Sequence, residues 1–180
     1  MWGFSLYSLR GLSQKGKVLS LEPHPENFGM LVRNLDLNRC QNVTPLNVGL
    51  AGKSGPRRLY LSRANTAAHS LFKPSEESIK IATTDLQSLL ETYRLDNIDL
   101  LKLDCEGAEH EVLETLPNTV FNSISRIAME YHILIPEKDE SSLSYLLRSR
   151  EFAVRTVPDG TEMGMIYAIR RSKDRTRGLV

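Results

Sequence analysis

Apolar positions recur along this chain with two different periods, and the switch between them marks its elements. Ile98 to Leu103 is a short, nearly continuous apolar run, of the length a strand buried on both faces requires. Beyond it, Ala108, Val112, Leu113 and Leu116 recur at helical spacing, and Pro117 ends the pattern. Strand, tight turn and helix therefore meet at Asp104 to Gly107. The same alternation occurs earlier. Val18 to Leu21 predicts a strand, followed by a helix with Pro25 at its first position and Phe28, Leu31, Val32 and Leu35 on one face, ending near Asn38. Val43 to Val48 predicts a second strand, placed at a sheet edge by Pro45.

The middle of the chain reads differently. Arg57 to Leu61 and Lys80 to Thr83 alternate polar and apolar residues, predicting antiparallel additions around a polar loop, Ser62 to Ser78. That loop holds Asn65, Thr66, His69 and Ser70. His69 is read as an exposed loop histidine, with a substrate-covering loop as the alternative. Thr84 and Gln87 fit a capping box ahead of the stripe Leu86, Leu89, Leu90 and Tyr93. Ile124 to Tyr131 predicts another strand, and Asp139 caps a helix carrying Leu143, Leu146 and Leu147. Phe152 to Val157 and Met163 to Ile169 predict a closing hairpin through Pro158-Asp159-Gly160. At the N-terminus, Phe4 to Leu12 is loosely helical.

Strand–helix alternation followed by a hairpin predicts an α/β fold: a mostly parallel doubly wound sheet with one antiparallel strand. It forms one domain over residues 1–170, with a basic, frayed tail at 171–180. Right-handed crossovers carry successive strand ends to one edge, so Glu22, Asp104, Glu130 and His132 are expected along a single rim. In an open α/β sheet that rim is where ligands bind.

Composition narrows the function classes. The 180 residues carry a formal net charge of +1, which provides no field for a nucleic acid or a membrane surface. A hydrophobic content of 41% suits a globular core. No apolar run approaches the ~20 residues of a membrane span, and Met1 to Leu6 lacks the basic start of a secretory signal. Cys40 and Cys105 have neither disulfide-framework nor zinc-site spacing and read as reduced thiols of a cytoplasmic protein.

Three carboxylates crowd the central turn: Asp104, Glu106 and Glu109. Gly107 lets a backbone or ligand come close. Two readings are open. Asp104 capping the helix, with Glu106 in its first turn, would satisfy the helix dipole and nothing more. Alternatively, the acids form part of a site.

The segment VLSLEPHPENFGMLVRNLDLN, Val18 to Asn38, and the segment LKLDCEGAE, Leu101 to Glu109, together resemble the FkbM-type S-adenosylmethionine-dependent methyltransferases. Thr84-Asp85-Leu86 before the central strand and Glu130-Tyr131-His132 after it also resemble family features. The resemblance implies a Rossmann-like class I methyltransferase fold with S-adenosylmethionine as cofactor. It implies that Glu22, beside Pro23, accepts hydrogen bonds from the cofactor's ribose hydroxyls, and that Asp104 lies near the methionine end and the acceptor. Glu106, Glu109 and His132 would surround the acceptor, a hydroxyl on a small molecule or sugar. Asp104 is the first candidate for the base that takes the hydroxyl proton, and His132 the second; a structural role for His132 is the alternative.

A metal bridged by Asp104, Glu106 and Glu130 is chemically reasonable, since oxygen ligands suit Mg²⁺, but nothing in the sequence requires one. The chain departs from the family pattern at its start. Of the glycine-rich loop only Gly3 is present, and the strand before it is absent. That strand belongs between those ending at Glu22 and Asp104, so its absence predicts unpaired backbone on both neighbours. A start placed too late, a true fragment, and a sheet whose gap closes up or is filled by another chain are the competing explanations. A non-catalytic binding module is the alternative function. The acceptor and the oligomeric state are open.

Overall fold

The computed structural model describes residues 16–62, 69–133 and 139–171. The predicted helix from Phe4 to Leu12, Gly3, the loop residues Asn65 and Thr66, and the tail beyond Arg171 lie outside the described residues.

The chain opens with β1 (Val18–Leu21), α1 (Pro25–Leu37) and β2 (Val43–Leu46). Proline stands at the start of α1, where its missing N–H costs nothing. β1 and β2 are parallel, and Pro45 is tolerated because β2 is an edge with β1 as its partner. Val32 was expected on the buried face of α1 but is 41% exposed; Asn27, Leu31 and Leu35 form that face.

A three-stranded set follows: β3 (Gly49–Leu50), β4 (Gly55–Tyr60) and β5 (Ser78–Thr84), in the order β3-β5-β4. The expected antiparallel pair is β4–β5, and β3 runs parallel to β5. α2 (Leu86–Tyr93) is capped by Asp85, whose carboxylate accepts from the Ser88 N–H, rather than by Thr84. Thr84 is the last residue of β5, so its backbone is committed to the ladder and the cap falls one residue later.

The main sheet comprises β6 (Leu101–Leu103), β7 (Arg126–His132), β8 (Phe152–Pro158) and β9 (Met163–Arg170), in the order β6-β7-β9-β8. β6 and β7 are parallel, and β9 is antiparallel to both its neighbours. The apolar run from Ile98 thus yields a three-residue strand preceded by an isolated bridge, Ile98 to Ile124. α3 (Glu109–Thr115) and α4 (Asn118–Ser123) connect β6 to β7, and α5 (Glu140–Ser149) precedes β8. The core lies between these helices and the sheet, with Leu103, Leu113, Phe121, Met129, Leu147 and Phe152 almost fully buried. The Phe121 and Phe152 rings meet edge to face at 6.5 Å between centroids, a favoured aromatic geometry.

One continuous sheet was expected, whereas the described strands form three hydrogen-bonded sets. Among the described residues, β6 bonds only to β7 and β1 only to β2. Side-chain packing joins the sets instead: Leu19, Leu21 and Leu46 pack against the main core.

Candidate active site

Asp104 follows β6 directly, and Glu130 and His132 close β7. One ligand-type atom from each of these three side chains lies within 4.8 Å of the other two. The parallel pairing explains the convergence: Leu103 is registered against Met129, so Asp104, just past β6, lies beside the last residues of β7, Glu130 to His132.

The turn after β6 is shaped to face this point. Glu106 and Gly107 have φ of +51° and +100°, consecutive left-handed residues that reverse the chain. Gly107 adopts this freely, whereas Glu106 is strained there. Asp104 does not cap the helix. Ala108 holds the N-cap position of α3, without a side-chain hydrogen bond. The Asp104 carboxylate instead pairs with Lys102, Nζ to Oδ2, at 2.6 Å. Residues two apart on a strand share a face, and the K-x-D spacing carries that signal. Lys102 is therefore a site residue that the sequence reading left without a role. With Oδ2 held, Oδ1 of Asp104 is buried and has no hydrogen-bond partner.

Glu109 is 1% exposed and clamps the turn, accepting from the Cys105 N–H at 2.8 Å and the Gly107 N–H at 3.0 Å. Its Oε1 lies 3.4 Å from Nδ1 of His132. On the other side of the imidazole, Nε2 lies 3.4 Å from Glu106 and 4.0 Å from Glu130. Burial disfavours the imidazolium, but Glu109, Glu106 and Glu130 outweigh it and raise the His132 pKa. Desolvation raises the Glu106 pKa, and Asp104, Glu109 and Glu130 add to that against the opposing pull of His132. Desolvation and the Glu109 charge push the Cys105 thiol up to about 12, which removes it as a nucleophile.

Glu22 ends β1. Its Oε1 accepts from the His24 N–H at 2.9 Å, and desolvation raises its pKa against that bond. Two adjacent residues connect Glu22 to the central turn. The His69 ring packs against His24, tilted by 45° with centroids 4.6 Å apart, and the Ser70 hydroxyl donates to the Glu106 carbonyl at 2.5 Å. His69 is therefore not the exposed loop histidine expected. It is partly buried, with Nδ1 accepting from the Ser62 N–H, and Ser70 is 4% exposed. Nδ1 of His24 and Nε2 of His69 are buried without partners. Glu22 and the acids after β6 thus lie at one end of the molecule, spanned by His69 and Ser70. Pro23 follows Glu22, and its backbone carbonyl accepts from Asn47.

No helix among the described residues is long and apolar enough to cross a membrane.

The chain matches the Methyltransferase FkbM domain over residues 2–152. It is 32% identical over 132 residues to the hexuronic acid methyltransferase AglP of Haloferax volcanii, covering 73% of this chain and 54% of that protein. The chain thus spans about half the length of that relative. It is 26% identical to Methyltransferase 1 of Beauveria bassiana over 193 residues, covering 93% of this chain and 76% of the other. Among solved structures, an FkbM methyltransferase from Methylobacillus flagellatus superposes with a TM-score of 0.58 at 17% identity, over 92% of this chain and 40% of that one. A precorrin-6y C5,15-methyltransferase from Geobacter metallireducens superposes at 0.53 and 13% identity, over 93% and 75%. At these identities the superpositions establish the fold, a Rossmann-like methyltransferase architecture. The domain match covers most of the chain, and on that ground the protein belongs to the FkbM methyltransferase family.

Proposed function

We propose that this domain transfers a methyl group from S-adenosylmethionine to a hydroxyl of a small, sugar-like acceptor. The observation that carries the reading is the gathering of Asp104, Glu130 and His132 within 4.8 Å at the C-terminal ends of two parallel strands of an FkbM domain. The hexuronic acid acceptor named for the Haloferax relative supports the sugar-like class.

The residues present fit the donor. Glu22 offers a carboxylate for a ribose diol, and the unpartnered nitrogens of His24 and His69 beside it suit a ligand rich in hydroxyls. Glu22 and Pro23 would hold the nucleoside end, with Gly3 beyond the described residues, and Asp104 would face the methionine end. When bound, S-adenosylmethionine supplies a methyl carbon already activated by its sulfonium. The remaining work is alignment and removal of the acceptor's proton. Asp104, its Oδ2 held by Lys102 and its Oδ1 unpartnered, is oriented to accept that proton. Glu106 stands beside it as a further carboxylate. His132, held between Glu109 and Glu106, positions the acceptor oxygen against them.

The test follows S-adenosylhomocysteine release from the full chain with a panel of uronic acids and neutral sugars, alongside calorimetric donor binding. Asp104→Asn is expected to lower turnover about 100-fold or more, the scale of general-base catalysis. Glu22→Ala is expected to weaken donor binding about tenfold or more, the scale of a lost charged hydrogen bond. Donor affinity unchanged in Glu22→Ala, or full turnover in Asp104→Asn, would overturn these roles.

A further inference from the structure

We infer that Asp104, Glu130 and His132 form a binding site for one divalent cation, of the kind that accepts both oxygen and imidazole ligands. Mn²⁺ and Mg²⁺ are the representative ions.

Proximity of acids does not carry this by itself. The independent observation is His132. Its side chain is 7% exposed, yet neither ring nitrogen has a hydrogen-bond partner. Leaving a buried imidazole unsatisfied is costly, so the ring calls for an occupant. The two sides of the ring are not equivalent. Nδ1 faces Glu109, whose carboxylate is fixed by the Cys105 and Gly107 N–H groups and therefore cannot turn away. That arrangement directs the ring proton to Nδ1 and leaves Nε2 facing Glu106 at 3.4 Å, Glu130 at 4.0 Å and the point shared with Asp104, where a bound cation would take its lone pair. A carboxylate behind a histidine that presents its other nitrogen forward is the usual outer support of a metal ligand.

Asp104 contributes the second unsatisfied group. Its side chain is 10% exposed and its Oδ1 is unpartnered. Lys102 occupies Oδ2 only, orienting the carboxylate while leaving Oδ1 free for a cation. The charges point the same way. Asp104, Glu106, Glu109 and Glu130 gather around His132, and among the described residues the ion pairs of this cluster include one lysine, Lys102. A dication reduces the repulsion among them. Two carboxylates and one imidazole, with positions left for water or an acceptor oxygen, suit Mn²⁺ by donor type and accommodate Mg²⁺. Glu130 is one-third exposed and provides the open side from which an ion enters.

The site rests on these side chains alone. Its use in methyl transfer rests on the reading proposed above: with Oδ1 of Asp104 on the cation, the cation would lower the pKa of the acceptor hydroxyl and the neighbouring Glu106 would take its proton.

The experiment uses the full chain, stripped with a chelator, with neither donor nor acceptor present. Mn²⁺ is titrated while the free-ion electron paramagnetic resonance signal is followed, and nitrogen couplings to the bound ion are read by pulsed methods. Saturable binding of one Mn²⁺ per chain with a ¹⁴N coupling is expected. Glu130→Gln, at a partly exposed position that tolerates the change, should weaken binding at least tenfold, and His132→Gln should remove the nitrogen coupling. Glu22→Gln should leave both readouts unchanged. Absence of saturable binding, a bound ion without nitrogen coupling, or binding indifferent to Glu130→Gln would each overturn the site. Because no methyl donor is present, such a result leaves the methyltransferase reading standing.

Discussion

Replacing Glu109 tests whether a buried carboxylate holds the central turn together. Glu109 is fully enclosed, and its two oxygens receive the N–H groups of Cys105 and Gly107 at 2.8 and 3.0 Å. Alanine would leave both donors without an acceptor, at about 1–3 kcal/mol each, and open a void beside them. Against this, the wild-type chain bears the cost of burying a charge, part of which the substitution returns. The lost hydrogen bonds outweigh that return, because the charge is already compensated by two N–H dipoles and by His132 at 3.4 Å. The net loss expected for Glu109→Ala is about 3 kcal/mol. With a slope of about 2 kcal/mol/M for a domain of this size, the urea midpoint falls by roughly 1.5 M. Glu109→Gln keeps one acceptor and turns an amide donor on the other N–H, so about half that loss is expected. Urea unfolding followed by circular dichroism supplies both numbers. A midpoint shift under about 0.3 M for Glu109→Ala would refute the clamp. In a double-mutant cycle with His132→Gln, a coupling of about 0.5 kcal/mol or more is expected, since the two side chains are in contact.

Three further outcomes follow from the same geometry. Glu106→Gly relieves a left-handed non-glycine residue and one charge of the acidic cluster. Thermal unfolding should show stability unchanged or higher by up to about 1 kcal/mol, while methyl transfer is lost. At Gly164, an added Cβ would stand 2.6 Å from the Tyr131 hydroxyl and 2.7 Å from the Val157 carbonyl, between three paired strands. Gly164→Ala should therefore destabilise by about 2–3 kcal/mol in denaturant unfolding. Desolvation works against the Asp85 carboxylate, but hydrogen bonds from Ser54 and Ser88 lower its pKa from 3.8 to about 2. Because the folded value lies below the unfolded one, this stability is present above about pH 4 and is lost as pH falls towards 2. The group is partly exposed, so the contribution is discounted to about 1 kcal/mol, the usual scale of a helix cap. Asp85→Ala should cost that amount at neutral pH and progressively less as pH falls through about 2, as read from urea midpoints across the range.

The alternation of periods was sufficient to predict most strands and helices in order, though not β3 or α4, together with the edge position of β2 from Pro45, the β4–β5 pair and the closing hairpin. Such features depend on neighbours within a few residues, so periodicity and punctuation carry them. The acids after β6 and at the end of β7 were also legible, because parallel strands joined by right-handed crossovers deliver their ends to one edge. What each side chain does there was decided by contacts between residues far apart in the chain. Asp104 has the identity of a helix cap, yet it pairs with Lys102 because the turn puts the N-cap four residues later, at Ala108. Glu109 resembles an ordinary first-turn acid, and only enclosure by the Cys105–Gly107 backbone makes it a clamp. His69 stands in a polar loop, and its ring contact with His24 across 45 residues is invisible to any local pattern. Local patterns determine which element forms. The dielectric environment, the partner and the direction of each polar group arise only when distant strands close on one another, and in this protein those determine the chemistry of the site.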